Sequence, residues 1–156
     1  MDPKIIAAII SAIVSFLVAF GVMLFNRSFQ RKQNTFELMK VFMSTEMLTS
    51  RTQTLALLKI YLPNTEIGIS IHDLKNKIKE EQWMQFSQLT HFFAEIRNLN
   101  ESKVTDKDLS KKLFIRYFKA YDEYYSKIIK AEEQISTKLQ SRLIGRIKEL
   151  KTHWKI

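Results

Sequence analysis

Apolar residues fill positions 5–25 without one charged side chain, and Ser11 and Ser15 are the clearly polar residues among them. A helix of about 20 apolar residues crosses a hydrocarbon core of roughly 30 Å and satisfies its own backbone hydrogen bonds in lipid. A helix in a soluble core rarely stays apolar on every side for so long. The pattern therefore predicts a transmembrane helix at 5–25. This helix divides the chain into a short N-terminus at 1–4 and a domain at 26–156.

The charged flanks of this span predict its orientation. Lys4 precedes the span, whereas Arg27, Arg31 and Lys32 follow it at once. Positive residues next to a span stay in the cytoplasm. We therefore expect a single-pass membrane protein, with its N-terminus outside and the rest of the chain in the cytoplasm.

Small side chains recur along one stripe of the span, namely Ala8, Ser11, Ala12, Ser15 and Ala19. Helices in lipid associate by close backbone approach through small residues, helped by hydroxyl hydrogen bonds. The stripe predicts self-association of the span. The alternative is that Ala and Ser are simply common in transmembrane helices, and an aqueous pore lined by the two serines is a third interpretation.

Beyond the span, apolar positions recur every three or four residues, which indicates helices. The first set predicts one helix over 27–62 that Pro63 ends, and comprises Leu38, Phe42, Thr45, Leu48, Thr52, Leu55, either Leu58 or Lys59, and Leu62. A short loop at 65–71 is expected to follow. Ser70 and Asp73 then resemble a capping box. A second helix is expected from there to Leu99, with a buried stripe of Leu74, Ile78, Phe86, Leu89, Phe93 and Ile96.

Thr105 and Asp108 form a second capping box, which predicts a third helix running to the chain end with a possible interruption at 141–145. Its apolar stripe comprises Leu113, Tyr117, Tyr121, Tyr124, Ile128, Ile135, Leu139, Leu143, Ile147, Leu150 and Trp154. The predicted fold class is all-α: one transmembrane helix followed by a small cytoplasmic bundle of about three long helices, which we expect to be oligomeric.

Several kinds of site are excluded by composition. The chain has no cysteine, so it offers neither a disulfide nor a thiolate zinc site, and three glycines cannot build a phosphate-binding loop. The three histidines are single and far apart. The Glu80–Glu81 and Glu132–Glu133 pairs are expected on solvated helix faces rather than as acid/base pairs. We predict no catalytic residue, no metal and no cofactor, and a domain that binds.

A formal net charge of +9 indicates an anionic partner, which is membrane lipid headgroups, a nucleic acid or a phosphate-bearing ligand. The first basic region surrounds a helix N-terminus and suits phosphate and base recognition. Its residues are the predicted ligand-binding site: Arg97, Asn98, Asn100, Lys103, Lys111, Lys112 and Arg116. The alternative is an ordinary solvated face over an aromatic core.

The second basic region is the tail, where Lys138, Arg142, Arg146, Lys148, Lys151 and Lys155 alternate with apolar residues. Such a basic amphipathic helix either lies on anionic lipid or pairs with a copy of itself. The continuous apolar stripe favours the second.

The design of the whole chain resembles the small membrane-anchored ancillary effectors of type III CRISPR systems, in particular the Vibrio type. The span at 5–25, its basic flank and the cysteine-free helical remainder carry this resemblance. It implies that the cytoplasmic domain binds cyclic tetra-adenylate, that the protein is a homotetramer, and that the spans rearrange to open a pore or disrupt the membrane. No double-stranded nucleic acid is expected as a partner.

Two other functions remain open from the sequence. One is a holin-like or toxin-like membrane protein that needs no ligand. The other is a membrane-tethered helical scaffold that binds a protein partner through the third predicted helix.

Overall fold

The computed structural model describes residues 3–62, 68–135 and 141–156, apart from the side chains of residues 7 and 8. These residues form helices and no strand, which confirms the all-α prediction. The helices are α1 (Pro3–Phe42), α2 (Thr45–Tyr61), α3 (Ile71–Lys77), α4 (Glu80–Glu101), α5 (Lys107–Glu133) and α6 (Arg142–Trp154).

The predicted span is the first half of α1, which is 40 residues long and extends about 60 Å. Its most apolar window has a mean hydropathy of 2.8, and no part of that window is buried. The helix is thus long and apolar enough to cross a membrane. In the predicted association stripe, Ser11, Ala12, Ser15 and Ala19 are exposed, whereas the side chain of Ala8 lies outside what the structure describes.

The single helix predicted over 27–62 is wrong, because the chain turns at residues 43–44. Ser44 caps a new helix there, and its hydroxyl accepts a hydrogen bond from the Met47 amide at 3.3 Å. A serine side chain competes with the helical backbone for such donors, so it favours a helix start. The following helix, α2, ends at Tyr61, and Pro63 lies outside the described residues.

The second predicted helix begins as expected but is divided. Ser70 accepts a hydrogen bond from the Asp73 amide at 3.1 Å, which confirms the predicted cap of α3. The chain then becomes extended at residues 78–79, where the Gln82 side chain accepts the Lys79 amide at 3.0 Å and opens α4. Helix α4 continues two residues beyond the predicted end at Leu99.

The third predicted helix is also divided, and its cap differs by one residue. Asp106, not Thr105, accepts the Leu109 amide at 2.9 Å, while Thr105 donates to the buried Asn100 at 2.8 Å. The helix ends at Glu133, earlier than the predicted interruption, and α6 begins at residue 142. Lys138 and Leu139 lie outside the described residues.

Aromatic rings form the centre of the helical domain that follows the apolar half of α1. Phe42, at the end of α1, lies 5.0 Å from Phe92 and 5.5 Å from Phe114 between ring centroids. Phe93 and Phe118 meet edge to face at 5.0 Å. Phe42 therefore joins the end of α1 to the core. Aromatic pairs at such distances contribute stability beyond that of their buried area.

The stripe predicted for α4 is confirmed at Phe86, Leu89, Phe93 and Ile96, which are all fully buried. The stripe predicted for α5 is confirmed at Tyr121 and Ile128, which are buried, and is wrong by one position at three other residues. Leu113, Tyr117 and Tyr124 are only half-buried. Their successors Phe114, Phe118 and Tyr125 are the buried residues.

The tail helix α6 packs inside its own chain. Ile144, Ile147, Leu150 and Trp154 are buried against α4 and α5. The prediction that this apolar face pairs with a copy or lies on lipid is wrong for residues 142–154, because the face is already covered. Two of the tail cations bond within the chain as well: Lys148 to Glu133, and Lys151 to Asp122 at 2.5 Å.

Gly68 gives the first stability prediction. A Cβ at this position would lie on the carbonyl group of Lys127, part of the α5 backbone. Because backbone cannot move aside like a flexible side chain, Gly68→Ala is expected to lower the free energy of unfolding by about 1–3 kcal/mol. Thermal unfolding in detergent measures this. Gly145→Ala is the control, because its Cβ meets nothing within 4 Å; equal losses in both variants would contradict the prediction.

Candidate functional site

An open groove of about 450 Å³ lies between α2 and α5. Leu55 and Ala56 of α2 and Ala120 of α5 supply apolar surface, and the Tyr121 hydroxyl spans the two helices by donating to the Arg51 carbonyl at 2.9 Å. Burial raises the pKa of the Tyr121 hydroxyl, and the charge of Arg51 opposes this rise. The hydroxyl therefore stays protonated and keeps its role as a donor at neutral pH.

Three cations line this groove: Arg51, Lys59 and Arg116. Arg51 and Lys59 are eight residues apart on α2, a little over two turns, so they lie on the same face. None of the three is within ion-pair distance of a carboxylate in residues 3–62, 68–135 and 141–156. No acidic residue lines the groove. The groove is therefore positive and open to an anion.

The two arginines are held by an aromatic ring. The guanidinium groups of Arg51 and Arg116 lie 4.8 Å and 4.6 Å from the centroid of Tyr117. Arg51 is also 4.4 Å from the Phe42 ring. Stacking occupies the flat face of a guanidinium but leaves N–H donors at its edge, and these match phosphate oxygens in pairs.

Arg51 also touches the end of α1. Its Nη1 lies 3.4 Å from the Phe42 carbonyl oxygen and 3.8 Å from the Met43 sulfur. Both contacts are long and weak compared with a charge-assisted bond to an anion. A ligand in the groove would thus compete for a side chain that contacts the corner between α1 and α2.

Among the predicted site residues, those nearest the end of α4 are engaged within the chain. Arg97 bonds Glu101 at 3.0 Å and Glu149 at 2.7 Å. Asn98 donates to Glu95 at 3.0 Å, and Asn100 is buried. A cation between two carboxylates has little attraction left for a further anion.

The remaining predicted residues lie in different surroundings. Lys103 and Lys112 are exposed, Lys103 with a left-handed backbone at φ 57°. Lys111 donates to the Trp154 carbonyl at 2.5 Å. Arg116 alone of the predicted seven lines the α2–α5 groove. The ligand-binding role of the other six stays a prediction.

A second, smaller hollow between α4 and α6 contains Arg97, Glu101, Glu149 and His153. Burial lowers the pKa of His153, and the charges of Lys107 and Arg97 lower it further against the opposing effect of Glu101. The charged residues of this hollow are of both signs and pair with each other. The ion pair between Arg97 and Glu149 therefore joins α4 to α6. Within the part of the chain that the structure describes, no group of three or more His, Asp or Glu residues is placed to hold a metal.

Sequence reasoning missed Arg51 and Lys59 because their face of α2 carries Leu48, Thr52 and Leu55 and was taken for the core. The residues that α2 buries instead are Met47, Ser50, Thr54, Leu57 and Leu58. The signal that could have found the groove was the pair of cations eight residues apart on the predicted apolar face.

Comparisons with protein-family models, curated proteins and solved structures find no match to this chain. The site must therefore be interpreted from its own chemistry.

Proposed function

We propose that this protein is a membrane-bound effector of antiviral defence, not an enzyme, whose helical domain binds a cyclic oligoadenylate in the α2–α5 groove and then perturbs the membrane. Cyclic tetra-adenylate is the first candidate. One observation carries the proposal: Arg51, Lys59 and Arg116 are unpaired with carboxylates, two of them stacked on Tyr117, in a groove that adjoins the end of the apolar helix.

The chemistry of the groove supports an oligonucleotide more than a simple anion. Arginine binds phosphate oxygens in pairs, and Lys59 adds a point charge. The apolar surface of Leu55 and Ala56 beside these cations offers contact to nucleobases, which pack well on apolar groups. A ligand with both phosphates and bases uses both kinds of surface.

The proposed placement has the N-terminus outside and residues 26–156 in the cytoplasm of a bacterium. All the basic and acidic residues except Lys4 and Asp2 lie beyond the span. Arg27, Arg31 and Lys32 directly after the span support the cytoplasmic side, because positive residues close to a span stay in the cytoplasm. A cytoplasmic groove would meet a nucleotide messenger where such messengers are made.

The proposed assembly is a homotetramer. One groove presents three cations, whereas a cyclic tetranucleotide carries four phosphates related by four-fold symmetry. A closed four-fold ring would offer the same few cations from each subunit to each phosphate. The same symmetry would bring four spans together in the membrane.

The proposed coupling runs through Arg51. A phosphate that takes the Arg51 guanidinium from the Phe42 carbonyl and the Met43 sulfur would act on the corner where α1 meets α2. A ligand shifts an equilibrium only as far as it prefers one state over the other. If the ligand prefers a state in which α1 is displaced, that displacement would reach the span directly, because α1 continues from the corner to residue 3 without a break.

Calorimetric titration of the full chain in detergent, with cyclic tri-, tetra- and hexa-adenylate and linear tetra-adenylate, tests the ligand. We expect tight binding of the cyclic tetramer, with about one ligand for four chains, and weak binding of the linear form. Absence of binding by every cyclic form would contradict the proposal.

A double variant tests the position of the site. Lys59→Ala with Arg116→Ala removes two exposed groove cations, and we expect it to weaken binding by at least about 100-fold, since charge-assisted bonds contribute about 1.5–3 kcal/mol each. Arg142→Ala with Arg146→Ala is the matched control, because both cations are exposed and neither lines the groove. Lys103→Ala with Lys112→Ala tests the other region; loss of binding in this variant alone would move the site there.

Dye release from vesicles that contain the full chain tests the effect on the membrane. We expect release only after the ligand is added. Release without ligand would favour a holin-like protein, whereas binding without release would favour a tethered scaffold.

A further inference from the structure

The part of α1 beyond the span carries an uncovered apolar stripe. Phe29, Phe36 and Met43 follow one another at intervals of seven residues and are 58%, 51% and 54% exposed. Seven residues make almost two full turns, so Phe29 and Phe36 lie in one row on α1. Met43 is the first residue after the helix, and its amide still donates to the Met39 carbonyl at 3.0 Å, so it continues the row. Large aromatic side chains in a row on a cytoplasmic surface indicate an interaction site.

The domain of the same chain covers a different face of α1. Thr35 and Phe42 are fully buried there, and the Thr35 hydroxyl accepts the Asp106 amide at 2.9 Å. Phe42 follows Phe36 by six residues, which places it about 120° away around the helix. The domain therefore fixes α1 from the side and leaves the stripe open.

Lipid does not reach most of the stripe. With a span that ends at residue 25, Phe29 lies about 6 Å beyond it, Phe36 about 16 Å and Met43 about 27 Å along the helix. Phe29 is at headgroup depth, next to Arg27 and Arg31. Phe36 and Met43 are in water, so only protein can cover them.

The stripe continues the register of the span. Counting back from Phe29 in steps of seven leads to Val22 and then Ser15, on the same uninterrupted helix. A seven-residue repeat keeps one row facing a neighbouring helix in a left-handed supercoil. Every copy of the chain is anchored by the same helix in the same direction, so the rows of two copies stand parallel and at equal height.

We propose that a second copy of this chain covers the stripe, so that the cytoplasmic halves of α1 pack in parallel, Phe36 against Phe36 and Met43 against Met43. The contact area on each helix is small, but anchoring in one membrane keeps the copies at high effective concentration. Lys32 borders the row and has no carboxylate within ion-pair distance among the described residues. Its repulsion between copies weakens as salt is added. This inference does not depend on the proposed ligand.

The absence of cysteine from the chain makes a direct test available. Phe36→Cys and Met43→Cys are introduced singly into the full chain, which is then oxidised in membranes without any nucleotide. We expect most of each variant to run as a disulfide-linked dimer, in larger amount at high salt. Val41→Cys is the matched control: Val41 is 54% exposed on the same helix, about 140° from Phe36. It should remain mostly monomeric.

Cross-linking of Val41→Cys as strong as that of Phe36→Cys would overturn the inference, because it would show random collision. A Phe36→Cys variant that forms no homodimer, or that links only to a different cellular protein, would overturn it as well. Light scattering of Phe36→Glu and Val41→Glu in detergent gives a second test. Only the first should reduce the mass of the assembly, and both residues are exposed enough for each variant to fold.

Discussion

Replacing Trp154 by alanine is expected to lower the free energy of unfolding by about 3–5 kcal/mol, which corresponds to roughly 10–20 °C in melting temperature. The indole is fully buried near the chain end and meets Phe118 edge to face at 5.8 Å. Removing it leaves a large cavity between α6 and α5. The hydrogen bond from the Lys111 side chain to the Trp154 backbone carbonyl is kept, so the loss reports on the ring. Thermal and urea unfolding of the full chain in detergent measure it.

The control is the other tryptophan. Trp83 is half-buried on α4, where its ring lies 5.7 Å from Phe86 and beneath Lys75. Trp83→Ala removes the same atoms, but in the native protein these atoms are already partly exposed to water. We therefore expect the free energy of unfolding to fall by only about 1–2 kcal/mol. If the two variants lost equal stability, the chain end would not be part of the core as the structure describes it.

Replacing Glu132 by alanine is expected to cost about 2–4 kcal/mol. The carboxylate is buried and accepts two backbone amides, that of Ile71 at 2.8 Å and that of Ser141 at 2.6 Å. One side chain thus caps the start of α3 and the residue that precedes α6. Without it, two amides in a buried setting lose their acceptor, and such groups cost about 1–3 kcal/mol each. Glu132→Gln keeps only one acceptor oxygen, so its free energy of unfolding should lie between those of the wild type and Glu132→Ala.

Glu133 is the matched control, because it is the next residue and has the same side chain. It is exposed and bonds Lys148, which is also exposed. An exposed ion pair contributes about 0–1 kcal/mol, so Glu133→Ala should change stability little. Urea unfolding of the two variants distinguishes the roles. Equal effects would contradict the capping role of Glu132.

These two glutamates show where sequence reasoning reached its limit. Neighbouring carboxylates on a helix point to different sides, and the sequence predicted that both would face water. The prediction was wrong for Glu132. Its partners, Ile71 and Ser141, start elements that are 61 and 9 residues away along the chain, and no local pattern reports such a meeting.

The register of α5 shows a second limit. Leu113–Phe114, Tyr117–Phe118 and Tyr124–Tyr125 are neighbouring apolar pairs, so two stripes one residue apart fit the periodicity equally well. The buried stripe contains Tyr125, whose hydroxyl lies 3.0 Å from that of Thr90 on α4. A partner on another helix decided the register, since a buried hydroxyl needs a hydrogen bond.

The sequence by itself determined the features that depend on neighbouring residues. The apolar helix at 5–25, the all-α class, the cap at Ser70 and the buried face of α4 follow from composition, periodicity and local hydrogen bonds. Only the tertiary structure decided which face of α2 is open, that Arg51 and Arg116 stack on one tyrosine, and that the tail packs inside its own domain. Those outcomes depend on how separate helices compete for the same apolar surface, and that competition is settled only when all of them pack together.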